Sequence, residues 1–430
     1  MGQGEGDHQR MRIALVNVWP DSNKGACALT WASLDLVFKA FPGASVALVP
    51  TAVNPPDPDP FRHTIPRYPN VTILPPLFDG EGKRPAAQLW HLARKLGEIF
   101  RFDGERRSAN PTLEWIRNSD LVVSVGGVNF QTAEATPRDD PRLVIRVLPL
   151  LAAQKIGLPT VLVGAQIGPF GTWFGGWLSR RIAAKAAAVF SRDRTSASEL
   201  RRSVLLPDSA LALTVSSRSR PDFDVPTLAL VISSALRANE RREEHVALFV
   251  HLGKRLVEAG VVRQVIVVLQ TDEDLAISRE LARGLDLDSK FFLDDDLDPD
   301  QLSNLYGACR MVISSRLHAV LLSFLAGVPA ISLAPEVTFK ERAVLEILGL
   351  ESLWIPSTTT PDRAVEQCLG IAYDDSRHRR AVESAVAAAR VQWDDVPQRL
   401  QSIVQEARRV SERQTHSSAI HNDSVAGLRR

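Results

Sequence analysis

The octapeptide ISSRLHAV, residues 313–320, places a guanidinium and an imidazole two residues apart where an apolar run ends. Met311-Val312-Ile313 reads as the end of a strand. The apolar stretch that follows, closed by Gly327, reads as a helix starting near Leu317. Arg316 and His318 then fall in the first helical turn, where free N–H groups already carry partial positive charge. Structure alone would favour Asp or Ser there. Two basic groups point instead to an anion: an arginine fork grips a carboxylate or phosphate, and an imidazole titrates near neutrality and moves protons. A lone histidine is more often structural, and it is the neighbouring arginine at a strand end that turns the reading toward a ligand.

Other strand ends carry weaker signals. Asn23-Lys24-Gly25 follows the first apolar run, and Gly126-Gly127 closes LVVSV. Glycine there permits close backbone approach to a ligand, or simply a tight turn; neither stretch is a GxGxxG or a Walker loop. In LVGAQIGPFG, Gln166 and Gly168 precede Pro169, which is expected to stop the strand. Arg192 ends AAVFSR beside a helix start, with Ser196-x-x-Glu199 as the expected capping box. Arg192 is therefore an anion ligand or half of a salt bridge with a nearby aspartate. Asp208 and Asp272–Asp274 also follow apolar runs. For the latter, capping of a helix by Thr271 or Asp272 is a sufficient explanation. The acidic run LDDDLDPDQL likewise reads as a helix start, without the spaced oxygens of a calcium loop.

The elements that must hold these residues alternate. β-Branched runs recur from Arg12 to Arg192 and again from Thr227 to Pro335, separated by stretches of helical spacing. Uniformly apolar strands alternating with helices predict parallel sheets covered on both faces. A chain of 430 residues is long for one core. The expected organisation is a disordered extension 1–10, a Rossmann-like domain 11–213, a Ser/Arg/Pro/Asp-rich linker 214–226, a second Rossmann-like domain 227–410 and a disordered polar tail 411–430. Two such sheets facing across a cleft bind ligands at their carboxyl edges.

Lys+Arg 51 against Asp+Glu 50 leaves a net charge of +1, so no basic excess points to nucleic acid. The three cysteines form no CxxC or Cys/His cluster, which suggests neither a disulfide framework nor a metal site. The first ten residues lack the apolar core of a signal peptide, and the most apolar region, 143–170, is too interrupted for a membrane span. A reducing cytoplasm is the expected compartment. The stretch TWFGGWLSRRIAAK mixes Trp173, Phe174 and Trp177 with Arg180, Arg181 and Lys185. It reads as a partly buried helix flanking the cleft, or as an interfacial helix in peripheral contact with a membrane.

Taken in order, NKGACA, the VGG at 125–127, GAQIGPF, SRDRTS, PDSAL, ISSRLHAVLLSFLAGVPAISL and Lys340 in EVTFKE resemble the polysaccharide pyruvyl transferase family. The resemblance runs from about Met11 to about Leu350. It implies a two-domain GT-B-like fold and transfer of an enolpyruvyl-derived group from phosphoenolpyruvate to a sugar, forming a pyruvate ketal. It implies His318 as acid/base, Arg316, Arg192 and Lys340 as donor ligands, and Asn23, Gly25, Gly126 and Gly127 facing a glycan or sugar-lipid acceptor. No metal and no cofactor beyond phosphoenolpyruvate as co-substrate are implied. The family loop that often holds a third glycine and an Asp is here Val128-Asn129-Phe130-Gln131, so the acceptor is not carried over. Two rival readings stand beside it. One is a nucleotide-sugar glycosyltransferase on the same fold, with Glu336 as the ribose-gripping carboxylate; the other is a non-catalytic glycan- or anion-binding module.

Overall fold

The computed structural model describes residues 10–51, 58–78, 85–103, 105–132, 139–200, 202–216, 221–235, 241–288, 291–293, 296–334 and 340–427. Glu336, most of the expected N-terminal extension and part of the 214–226 linker lie outside them.

The first sheet comprises β1 (Arg12–Val18), β2 (Ser45–Pro50), β3 (Thr72–Ile73), β4 (Leu121–Ser124), β5 (Gly127–Thr132), β6 (Thr160–Phe170), β7 (Ala188–Ser191) and β8 (Ser203–Leu205). They run in the order β3-β2-β1-β4-β6-β7-β8, all parallel, with β5 paired to the far end of β6. Between them come α1 (Lys24–Ala40), α2 (Thr64–Arg67), α3 (Pro85–Arg101), α4 (Pro111–Arg117), α5 (Asp139–Lys155), α6 (Trp173–Lys185) and α7 (Arg194–Ser198). The strands are apolar on both faces because both are covered. Ile13, Leu15, Leu121 and Val123 join one buried cluster, while Ala14, Val16, Val122 and Leu162 join the other with residues of α3–α6. β6 runs on through Pro169 to Phe170, where Pro169 is expected to stop it. Its last residues pair with β5 on one side, Thr132 opposite Phe170, and the Gly168–Pro169 peptide is cis.

The second sheet comprises β9 (Thr227–Val231), β10 (Gln264–Val268), β11 (Phe292–Leu293), β12 (Met311–Ser314), β13 (Ala330–Ala334) and β14 (Trp354–Pro356), in the parallel order β11-β10-β9-β12-β13-β14. Its helices are α8 (Arg242–Glu258), α9 (Leu275–Gly284), α10 (Pro299–Gly307), α11 (Leu317–Leu325), α12 (Lys340–Leu348) and α13 (Pro361–Tyr373). In each sheet the order reverses beside the first strand, between β1 and β4 and between β9 and β12. Loops diverge at such a switch point and leave a crevice at the carboxyl ends. The loops after β1, β4, β9 and β12 are those holding Asn23–Gly25, Gly126, Ser233–Ser234 and Arg316–His318.

Two last helices, α14 (Asp375–Asp394) and α15 (Val396–Gly427), return to the first sheet's side. Trp393 is buried, packs tilted against Phe190 with ring centroids 6.1 Å apart, and donates its indole N–H to the Pro207 carbonyl at 3.2 Å. Gln401 donates to Ala40 O at 2.6 Å, and Arg408 pairs with Asp120 at 2.7 Å. By packing, then, the chain beyond about Asp375 straps the two halves together. The backbone stays helical to Gly427, across the 411–427 stretch where polar composition predicts no element. Extending a helix already anchored by packing needs no new nucleus, and neither Pro nor Gly interrupts it until Gly427.

Replacing Trp393 by Ala should therefore destabilise the whole molecule by about 3–5 kcal/mol, the usual range for emptying a buried aromatic site. Urea unfolding followed separately by far-UV circular dichroism and by intrinsic fluorescence reads it. A shift confined to fraying of the last helix, with the main transition unmoved, contradicts the strap.

Candidate active site

Four side chains that the sequence marks as chemical converge where the two carboxyl edges meet. α11 begins directly after β12, with Arg316 as its N-cap residue and His318 one position inside. The Arg316 backbone N–H is bonded to Ser314 Oγ at 2.8 Å, which fixes the turn between strand and helix. Arg192 directly follows β7, and Lys340 opens α12.

His318 crosses from the second domain to lie flat against the first. A Cβ on Gly25 would stand 2.4 Å from the imidazole Nδ1 and 2.7 Å from Cγ, so no other residue fits there without moving the ring. The imidazole is 12% exposed; its Nε2 faces Asp208 Oδ2 at 3.8 Å and has no hydrogen-bond partner among the described residues. Burial drives its pKa down to about 3. Asp208 works the other way, while Lys340, Arg192 and Arg316 add to the depression. The ring is therefore neutral at neutral pH, a proton acceptor.

Arg192 is 1% exposed, and its charge is met inside the protein. Nη1 donates to Asp208 Oδ2 at 2.8 Å and Nη2 to Gln166 Oε1 at 2.6 Å; Nε is buried and unpartnered. Asp208 opens a short 3₁₀ turn and accepts the Ala210 N–H at 2.9 Å. Burial alone would lift its pKa, but the charge of Arg192, with which it is hydrogen-bonded, and that N–H hold it below the ordinary carboxylate value. Beside it Ser209 Oγ is buried without a partner, pressed toward Gly164, whose φ of +58° and closeness to that hydroxyl leave no room for a side chain. Arg192 Nε, Ser209 Oγ and His318 Nε2 have no hydrogen-bond partner among the described residues, and leaving such an atom unmet costs about 1–3 kcal/mol.

Arg316 differs from the sequence expectation in one respect. The anion opposite its fork is a protein carboxylate: Nε and Nη2 meet Asp274 Oδ2 and Oδ1 at 2.8 and 2.6 Å, leaving Nη1 outside the pair. Asp274 also accepts the Ser234 N–H and hydroxyl at 2.7 and 2.9 Å. Thr271 stands at the N-cap of the 3₁₀ turn, as expected, and Asp274 at the N-cap of α9, but neither makes a side-chain cap bond, and the Asp274 carboxylate is turned to the arginine. The capping box assigned to Ser196 and Glu199 is also absent. Asp193 caps α7 through the Ser196 N–H at 2.7 Å, one turn earlier, because its carboxylate is the stronger acceptor. Lys340 has no hydrogen-bond partner among the described residues. Burial lowers its pKa; Glu341 opposes this, and Arg192 and Arg316 reinforce it.

The remaining candidates are more dispersed. Asn23 caps α1 through the Ala26 N–H at 3.1 Å. Gly126 is packed against the Val163 and Gly164 carbonyls, while Gly127 opens β5 at φ +120° and is half-buried. Asn129, in the loop that departs from the family pattern, binds the Val125 carbonyl at 3.0 Å and receives the Trp19 indole N–H at 3.3 Å. Sequence reasoning gave no role to a further cross-domain group. Asp296, from the acidic run read as a helix start, pairs with Lys24, Arg62 and His63 of the first domain, and together they depress its pKa against the effect of burial. Asp298 is the true cap of α10, with Gln301 completing its capping box. Asp208 and Gln166 appear in the sequence as strand-end polar residues. The signal that gives them a role is the arginine itself, since a guanidinium buried to 1% needs a carboxylate.

The sequence model of the polysaccharide pyruvyl transferase family matches residues 23–336. No curated protein sequence matches the chain significantly. Among solved structures, the fold is similar to a UDP-GlcNAc 2-epimerase from Neisseria meningitidis bound to UDP-GlcNAc, at 9% identity, 92% and 100% coverage of the two chains and a TM-score of 0.55. It is similar to the S. aureus MnaA–UDP complex at 13% identity, 87% and 91% coverage and TM-score 0.54. It is also similar to Phytolacca americana UGT2 with UDP-2-fluoro-glucose and pterostilbene, at 9% identity, 92% and 99% coverage and TM-score 0.55. At these identities the likeness establishes the GT-B architecture and nothing finer.

The histidine makes a pH prediction whose sign is fixed. An unfolded His318 takes up a proton near pH 6.5, whereas the folded site refuses it until about 3, so stability is present above 6.5 and is lost as pH falls. Each such group contributes up to ~1.4 kcal/mol per pH unit in that window. His245, buried and lowered to about 4, acts in the same direction. Urea midpoints measured from pH 7 to 4 should fall less steeply for His318→Asn than for the unsubstituted protein. Equal slopes would mean that the imidazole titrates normally.

Proposed function

The chain belongs to the polysaccharide pyruvyl transferase family, and from that premise we propose that it transfers the pyruvyl group of phosphoenolpyruvate to two hydroxyls of a sugar in a glycan precursor, giving a pyruvate ketal and inorganic phosphate. The observation that carries this reading is a buried, neutral imidazole with an unpartnered Nε2 at the meeting point of Arg192, Arg316 and Lys340. Arg192, Arg316 and Lys340 stand against the carboxylates of Asp208, Asp274 and Glu341, and their guanidinium forks and ammonium suit a compact anion that bears both phosphate and carboxylate.

The chemistry balances on these groups. A proton goes to the donor methylene carbon and makes it a methyl group, leaving electron deficiency at C2. One sugar hydroxyl attacks C2 and loses its proton, and the C2–O bond to phosphate breaks. A second hydroxyl then closes the ring and loses its proton in turn. One proton is consumed at carbon, two are released from oxygen, and one leaves with phosphate. As the structure stands, His318 is a base, fit to take a hydroxyl proton. A bound dianion that neutralised Lys340, Arg192 and Arg316 would raise its proton affinity and make it an acid toward the methylene. Asp208, 3.8 Å from Nε2, would orient and stabilise the imidazolium so formed.

Phosphoenolpyruvate should raise the thermal midpoint and UDP-sugars should not; the reverse result would favour a nucleotide-sugar glycosyltransferase. His318→Ala should lower phosphate release from phosphoenolpyruvate and acceptor by ~10²-fold or more while leaving that thermal shift in place. An unchanged rate removes His318 from the chemistry, and no phosphate release with any acceptor glycan favours a binding module.

Gly25→Ala separates two roles. If Gly25 seats the imidazole, kcat should fall by about 10²-fold with acceptor KM little changed, as for a displaced catalytic group. A raised acceptor KM at unchanged kcat would assign Gly25 to the acceptor.

A further inference from the structure

The first domain carries an aromatic patch that neither the core nor the site uses. At the start of α6, Trp173 is 79% exposed, Trp177 42% and Phe174 37%. The two indoles stack at 6.3 Å, and Phe174 lies 5.9 Å from Trp177. α3 adds Trp90 at 61% exposure, with Leu89 and Phe100 also open. Leu92 and Ile99 of α3 and Leu178 and Ile182 of α6 enter the same buried cluster, and α5 packs against both helices, so the two lie on one side of the first sheet. Monomeric proteins rarely leave several large aromatics together in water without a partner for them.

The charges on these two helices are predominantly positive. α3 holds Arg94, Lys95 and Arg101 against Glu98, and α6 holds Arg180, Arg181 and Lys185 with no acid of its own. Lys95 is spent on Glu98 and Arg180 on Glu199, while Asp140 is engaged by the Thr172 hydroxyl. Arg181 lies over the Trp177 ring at 5.7 Å and Arg94 over Trp90 at 5.9 Å. Aromatic rings flanked by guanidinium groups that can reach past them to phosphate suit a bilayer interface, where the ring sits at headgroup depth. Single-stranded nucleic acid also stacks on indoles, but a net charge of +1 supplies no basic excess to hold its backbone.

We propose that the start of α6 and the outer side of α3 dock this protein peripherally on an anionic lipid bilayer. No helix among the described residues is long and apolar enough to cross one, so the contact is with a leaflet surface. α6 begins just beyond Phe170 at the carboxyl end of β6, the edge of the sheet that also bears Gln166 and the site. Docking there holds the cleft's rim near the lipid. The surface chemistry stands independently of the proposed reaction.

The test is co-sedimentation of the full chain with vesicles of phosphatidylcholine, with and without phosphatidylglycerol. The full chain should pellet with the anionic vesicles and much less with the neutral ones. Trp173→Ser with Trp177→Ser should weaken that binding by roughly tenfold or more, and Arg181→Glu with Lys185→Glu should weaken it on anionic vesicles specifically. All four side chains are exposed, and an unchanged thermal midpoint confirms that each variant is folded. A full chain that stays in the supernatant, or folded variants that pellet like it, overturns the proposal. So does a dimer in sedimentation velocity that the tryptophan substitutions dissolve while vesicle binding is absent.

Discussion

The Arg192–Asp208 ion pair is the interaction on which the remaining arrangement turns. A guanidinium at 1% exposure and a carboxylate at 0% are each intolerable alone in the interior, so the fold must bring β7 and the turn after β8 into one geometry. Gln166 accepts a second N–H of the guanidinium from the middle of β6. Once that lattice is set, Asp208 has one oxygen aimed past the arginine toward His318 of the other domain. The pair is thus a fixed point against which a side chain from the second sheet is measured.

The same logic explains why the domains meet as they do. Each sheet reverses order beside its first strand, and the two crevices contribute different chemical types. From the first come a glycine, a buried carboxylate and a buried guanidinium; from the second come the imidazole, another guanidinium and a lysine. Gly25 and His318 fit by space, with no hydrogen bond between them, so α1's backbone acts as a wall for the ring. Asp296, ringed by Lys24, Arg62 and His63, and Asp300, paired with Arg67 at 2.6 Å, hold that wall at the right separation from the second sheet. α14 and α15 then tie the second sheet back to the first through Trp393.

The architecture was legible in the sequence because its cause is local. Runs such as RIALVNV and TLALVIS are apolar at every position, which is what a strand covered on both faces requires. The basic residues of the site were legible for a related reason: Arg316 and His318 oppose a helix end that should repel them. What answers them was not legible. Asp274 meets Arg316 from 42 residues away, and nothing in its own neighbourhood distinguishes it from a helix-capping acid. Ser196 and Glu199 have the spacing of a capping box, yet Asp193, two residues past β7, takes the cap with its carboxylate. The helical stretch past residue 411 was hidden differently: its stability comes from the anchored helix before it, and composition carries no trace of that anchor.

Charge in the site has a consequence beyond holding a ligand. Lys340, Arg192 and Arg316 make the pocket attractive to an anion and, by the same field, depress the imidazole's proton affinity. The two effects are linked and therefore reciprocal: an anion that binds more tightly when His318 is protonated must raise that histidine's pKa on binding. In the proposed reaction this coupling would keep His318 unprotonated until an anionic donor is seated. Asp208 limits the swing, since its carboxylate already favours the imidazolium, and Asp274 limits it further by holding part of Arg316's charge. Burial is the first cause of the imidazole's neutrality in the ligand-free protein, and Lys340, Arg192 and Arg316 reinforce it against Asp208.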